Sequence, residues 1–182
     1  QSAGNLPLQG TRPLLGIADH LNAGRDYPAY LNEKSARIAN PGQSLQALTV
    51  GSIAYDFAEF GAWRTFATHP SAPSAFSRSG PGIWNVIKPE VVEYGGDAVR
   101  TNNVPPDIQA GGRIPEACPN LVRSTLSSPG PAADRDSAGT SYAAPKVARI
   151  AAHVQRVLPA EPALLYRALV VQSAQWPAWA ED

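Results

Sequence analysis

Behind Ser141, the residues Ala143, Ala144, Val147, Ala148, Ala151, Ala152 and Val154 recur at spacings of three and four. That period places them on one side of a helix and predicts an α-helix buried on a wide face, with alanines small enough for close approach to a sheet. A second helix is predicted after Pro159-Ala160-Glu161-Pro162, with a stripe of Leu164, Leu165, Ala168 and Leu169 that runs out near Ser173-Ala174. Pro162 suits its first turn, where a missing N–H costs nothing. Two short apolar runs read as buried strands, one around Leu48 and Val50, the other Val91-Val92 between Pro89 and Gly95-Gly96.

The segments between these elements are rich in proline, glycine and polar residues. Residues 6 to 40 hold one short predicted helix, marked by Leu14, Leu15, Ile17 and Leu21. Residues 53 to 75 carry Tyr55, Phe57, Phe60, Trp63 and Phe66, which fit a hairpin packed on the domain. As a group these aromatics suit a satellite cluster under a loop or the lining of a groove. Residues 97 to 120, with Asn102-Asn103, Pro105-Pro106 and Gly111-Gly112, read as a long surface loop. Residues 175 to 182, with Trp176 and Trp179, are a docked tail or the start of further sequence.

Composition narrows the function classes. Fifteen basic and fifteen acidic residues give zero formal charge, against nucleic acid or an anionic membrane as the main partner. No apolar run approaches the roughly 18 residues of a membrane span, and no signal peptide is visible. Methionine is absent, even at position 1, so the chain is expected to be part of a longer protein. The single cysteine, Cys118, excludes an internal disulfide, leaves the compartment undecided and reads as a loop or core residue. No Cys, His or carboxylate group has metal-ligand spacing, and no metal or cofactor is expected.

The candidate chemistry lies at Gly139-Thr140-Ser141-Tyr142-Ala143-Ala144-Pro145. A Gly-Thr turn entering a helix leaves backbone N–H groups unpaired near Ser141. With the positive end of the helix dipole they suit a developing negative charge, so the serine hydroxyl sits beside half of an oxyanion hole. Pro145 has no N–H for the carbonyl of Ser141 and loosens that first turn. On local chemistry alone, Thr140 as an N-cap and Ser141 as a first-turn serine is the favoured reading.

The segment resembles the nucleophile motif of the subtilisin-like serine proteases, the subtilases. Three further blocks resemble that family in its order: Ser2-Ala3-Gly4-Asn5, Ala47-Leu48-Thr49-Val50-Gly51-Ser52, and Phe76-Ser77-Arg78-Ser79-Gly80-Pro81 followed by Lys88-Pro89-Glu90-Val91-Val92. The resemblance covers residues 2 to about 174. It implies an α/β fold of three layers, a mostly parallel sheet flanked by helices, of which this chain holds the C-terminal half. Residues 1–174 would be the C-terminal portion of the catalytic domain and 175–182 a tail. It further implies acyl transfer with Ser141 as nucleophile, Asn5 in the oxyanion hole, and Ser2, Ala3 and Gly4 lining one wall of the substrate pocket.

In the family's order of Asp, His, Ser, a C-terminal half keeps only the serine. None of the histidines has the context of a catalytic base: His69 precedes Pro70, His20 follows Asp19, and His153 falls in the helix behind Ser141. The implied partners are a peptide or protein substrate and the N-terminal half of the domain, with a homo-oligomer as another way to cover an open sheet edge. Tyr142, Lys146, Arg149 and Glu93-Tyr94 depart from the family's usual residues and bear on substrate preference. The competing reading is a pseudoprotease or interaction domain that keeps the fold. An unrelated serine hydrolase fits less well, because Gly42-Gln43-Ser44-Leu45-Gln46 breaks the Gly-x-Ser-x-Gly pattern at its last position.

Overall fold

A computed structural model of the chain describes residues 1–110, 120–124 and 136–180, so Cys118 lies outside the described residues. Both predicted strands form, but only the first is buried throughout; in the second Val91 is buried while Val92 is exposed, because no further described strand covers that side. Strand β1 is Val50–Ile53, buried at every position, and β4 is Val91–Tyr94. They pair in parallel with Val50 opposite Val91 and Ile53 opposite Tyr94. Ser2 bridges Val50 in parallel on the other side of β1, and the Ala3 N–H donates to the Val50 carbonyl at 2.9 Å. The N-terminal residues therefore extend this parallel array.

Beyond this array, parallel pairing among the described residues is limited to a single bridge between Arg37 and Ser79. The larger sheet is antiparallel, in the order β2 (Glu59–Phe60), β3 (Trp63–Thr65), β5 (Val99–Thr101), β6 (Ile108–Gln109). Strands β2 and β3 are the expected hairpin. Strands β5 and β6 correct the expectation of a surface loop from residue 97: Val99 pairs with Thr65 and Gln109 with Val99, so β5 adds to the edge of the hairpin and β6 adds to β5. Val99 is fully buried against Phe60, Trp63 and Leu121. The aromatic group thus divides: Phe66 enters the main core, Phe60 and Trp63 cover β5, and Tyr55 and Phe57 remain partly exposed.

The helix expected in residues 6–40 is α1, Ile17–Asn22. Gly16 is its N-cap, and Asp19 Oδ2 accepts the Gly16 N–H at 2.8 Å and the Gly10 N–H at 3.0 Å. These two bonds hold the Asp19 carboxyl below its ordinary range, the Gly16 bond foremost. Ile17 enters a core with Leu6, Tyr30, Leu31, Phe66 and Phe76, whereas Leu14 stays exposed.

Helix α2, Thr140–Val157, packs on β1 and β4. Its buried face is narrower than the sequence suggests. Ala143 and Val147 meet Val50, Val91 and Val170 with Ala144 and Ala151 alongside, while Ala148 and Ala152 face outward. Helix α3, Ala163–Gln172, begins after Pro162 as N-cap and buries Val170 rather than the expected Leu164, which is exposed. Leu165 and Leu169 are half-buried. The tail makes contact through Trp179, whose Nε1–H donates to the Ser71 carbonyl at 3.1 Å beside His69. Trp176 is exposed.

Under the parallel pair lies a buried ion pair. Lys88, only 4 % exposed, bonds Glu90 Oε1 at 2.7 Å and also reaches the carbonyls of Ser44 and Ala47 and the Thr49 hydroxyl. Glu90 Oε2 accepts the Thr49 N–H, and Arg167 of α3 bonds Oε1. A buried cation needs this many acceptors, because leaving water costs several kcal/mol per ion. The network ties the approach to β1, the start of β4 and helix α3 together.

Candidate active site

Gly139 is the N-cap of α2, which makes Thr140 the first helical residue and Ser141 the second, one step later than an N-cap threonine would give. A glycine cap has no side chain to accept a first-turn N–H. Asn5, 135 residues away, supplies the acceptor: its Oδ1 takes the Thr140 N–H at 3.0 Å and the Thr140 hydroxyl at 2.9 Å. Thr140 is fully buried, so both donors are shielded from water at this contact. The Asn5 carboxamide is thereby oriented, oxygen toward the helix start.

The other end of the carboxamide is uncommitted. Asn5 Nδ2 has no hydrogen-bond partner among the described residues, and neither the Ser141 hydroxyl nor its N–H has one. Both residues are exposed. A Cβ added at Gly139 would lie 3.0 Å from Asn5 Nδ2, so glycine at 139 is what lets the amide sit against the helix start. The sequence therefore brings together Ser141, its N–H and the Asn5 amide at the positive end of an 18-residue helix.

Two ties fix the helix start to the sheet. The Gly139 N–H donates to the Gly95 carbonyl at 2.8 Å, and Lys146 Nζ donates to the Tyr94 carbonyl at 2.7 Å and the Tyr55 hydroxyl at 3.0 Å. Tyr55 and Tyr94 stack with centroids 4.6 Å apart, and the ammonium lies 5.3 Å from the Tyr55 ring. The departures at 94 and 146 are thus one unit. Across Pro145, which withholds an N–H from the Ser141 carbonyl, Lys146 anchors the helix from outside.

Ser2 is half-buried, Ala3 is fully buried with its N–H in the sheet, and Gly4 is half-buried with φ of 91°. That backbone region favours glycine, and it turns the chain so that Asn5 leaves the sheet and bridges Ser77.

No histidine contacts Ser141 among the described residues. His20 is 1 % exposed, stacks on Tyr30 and lies 2.7 Å from the Ser35 hydroxyl through Nε2. The pairing imitates a serine–histidine dyad with the proton on the wrong atom. Arg25 Nε–H donates to Nδ1 at 3.1 Å, so Nε2 carries the hydrogen and donates to Ser35 instead of accepting from it. Burial and the Arg25 charge hold the imidazole below its ordinary pKa. His69 packs on Trp179, and His153 is exposed beside Arg156.

Among the described residues no group of three His, Cys, Asp or Glu is placed to hold a metal ion. A cleft of about 540 Å³ opens elsewhere, between Leu8 and Gln9 on one side and Trp63, Pro106, Ile108 and Gln109 on the other. Neither Ser141 nor Asn5 lines it, so its volume marks no part of the serine site.

Sequence reasoning alone did not reach Thr140 as the partner of Asn5, or the Tyr55–Tyr94–Lys146 unit. The only available signal was the joint departure at positions 94 and 146.

The chain is 33% identical over 189 residues to the uncharacterised protein y4bN of Sinorhizobium fredii, a match that takes in 100% of this chain and 41% of the relative. The chain thus spans about two-fifths of the length of the curated relative it matches. No solved structure gives a significant match. The model of the subtilase family matches residues 2–181, so the chain belongs to the subtilases, a family of serine proteases.

Proposed function

We propose that this chain is the C-terminal part of the catalytic domain of a serine endopeptidase. Ser141 attacks the peptide carbonyl, and the oxyanion of the tetrahedral intermediate is held by Asn5 Nδ2 and the Ser141 N–H. The proton of Ser141 passes to a histidine, itself oriented by an aspartate, both supplied by sequence outside this chain. The acyl-enzyme then forms as the amine leaves, and water resolves it. The observation that carries this reading is the orientation of Asn5: its oxygen is spent on Thr140, so its two N–H hydrogens are left for a ligand beside Ser141.

On this reading Ser2 and Gly4 present the accessible part of one substrate wall, with Ala3 contributing main chain only. The partners are a peptide substrate and the first half of the domain, which would cover the open side of the Ser2 bridge. A self-associated chain is the other way to cover that edge, and light scattering on the isolated 182 residues distinguishes it from a monomer.

The test is covalent labelling of the full-length protein by a fluorophosphonate. Adduct mass on the peptide containing Ser141, lost in Ser141→Ala, is the expected outcome. A folded full-length protein left unlabelled indicates an interaction domain that keeps the fold without the chemistry. Absence of an Asp-(Ser/Thr)-Gly and a His-Gly-Thr segment ahead of Gln1 would point the same way.

A further inference from the structure

We propose that Arg78 is a positioning residue for the oxyanion donor: it fixes the main chain of Asn5 while Thr140 fixes its side chain. The inference rests on the role given to Asn5 above.

The guanidinium lies where three carbonyl oxygens converge. Its Nε–H donates to the Asn5 carbonyl at 3.2 Å, and Nη1 donates to the carbonyls of Ser35 at 2.7 Å and Arg37 at 2.9 Å. Its own N–H donates to the Gly4 carbonyl at 3.2 Å. Its stem fills the space beside Gly4, with Cδ 3.1 Å from where a Cβ would stand. The peptide units on both sides of Asn5 are therefore held from residue 78. The Leu6 N–H bond to the Phe76 carbonyl at 2.7 Å closes the turn on its far side.

Segment 35–38 is held in its own right, by the bond of the Ile38 N–H to Ser79 and by the buried His20–Ser35 pair. Arg78 thus couples a rigid segment to the Asn5 turn. Without the guanidinium, three carbonyl dipoles face one another with no donor between them; segment 35–38 keeps its own ties, whereas the Asn5 carbonyl loses its donor and the turn is left with the main-chain bonds of Arg78 and Leu6 on either side. The carboxamide would then pivot about its Thr140 bonds, moving Nδ2 away from the place of the oxyanion. A lysine supplies charge and donors but not the planar fork that meets three oxygens at fixed angles.

The experiment is the rate of fluorophosphonate labelling of Ser141 in the full-length protein, in a double-mutant cycle with Asn5. Arg78→Met is expected to slow labelling by on the order of tenfold, since a displacement of a fraction of an ångström is costly at a reacting centre. Arg78→Lys should fall between Arg78→Met and the parent. In an Asn5→Ala background, where there is no carboxamide to aim, Arg78→Met should slow labelling no further. An equal slowing in both backgrounds, or labelling of Arg78→Met at the parental rate, overturns the proposal. Should Arg78→Met fail to fold, Arg78→Lys decides in the same two backgrounds, by the same criterion. A parent that is never labelled sinks the protease reading and this inference with it, whereas a labelled parent indifferent to Arg78 sinks only the inference.

Discussion

Asp97 and Asn5 each join segments distant in the chain through their side chains, yet they end differently. Asp97 is fully buried, and its two oxygens accept the N–H groups of Ala67 at 2.7 Å and Ala75 at 2.8 Å. Asn5 is exposed and gives only its oxygen to Thr140, keeping both amide hydrogens unshared among the described residues. The first arrangement leaves nothing for a ligand and everything for the fold. The second is oriented but unsaturated, which is what a group awaiting transient charge requires.

The contrast is sharpest in what removal should do. Asp97→Ala would orphan two buried N–H groups at about 1–3 kcal/mol each. We expect a loss of about 3 to 5 kcal/mol in denaturant unfolding, with no change in labelling of whatever protein remains folded. A loss below 1 kcal/mol would show that Asp97 is not the strut described.

The same residue gives a pH signature. Burial raises its carboxyl to about 7, against the pull of the N–H bonds from Ala75 and Ala67. The folded state then keeps a proton that the unfolded chain loses near pH 4, so stability is greatest at acid pH and declines as pH rises from about 4 to 7. His20 acts with the opposite sign: burial and Arg25 lower its pKa, so its contribution falls as pH drops below about 6.5. Unfolding of Asp97→Asn across this range should lose the decline and reveal the rise due to His20. An unchanged slope would remove Asp97 from the account.

Asn5→Ala should reverse the pattern. Turnover of the full-length protein should fall by about 100- to 1,000-fold, the loss known for removing the oxyanion asparagine of subtilisin itself. Stability should fall by only about 1 kcal/mol, the cost of one helix cap. Comparable losses in both would erase the distinction between strut and donor. Gly139→Ala should give the smallest effect. Its Cβ would press on Asn5 Nδ2 without removing it, slowing turnover roughly tenfold. A Gly139→Ala protein as active as its parent would place the amide elsewhere during the reaction.

What was legible in the sequence divides along similar lines. Strands β1 and β4 and helix α2 could be read because their signals are local: short apolar runs with sharp exits, and a helical period behind a Gly-Thr-Ser start. Strands β5 and β6 could not, since two or three residues carry no period, β5 pairs with a hairpin over 30 residues earlier, and β6 has only β5 to pair with. Asp97 announced nothing, because an aspartate after two glycines ordinarily reads as a turn. Ser141 and Asn5 were reached through family resemblance, but the hydrogen bonds that aim Asn5 arise from a contact across 135 residues. No spacing in the chain encodes that.

The Lys146 ammonium, with its bonds to Tyr94 and Tyr55, also bears on inheritance. Exchange of one member leaves the others worse off: a shorter residue at 146 takes the donor from the Tyr55 hydroxyl and the Tyr94 carbonyl, a residue without a ring at 55 removes that hydroxyl, and one without a ring at 94 removes the stacking partner of Tyr55. Changes at these three positions would therefore tend to be fixed as a set, so that a lineage once committed to lysine behind Pro145 has few single-step routes back.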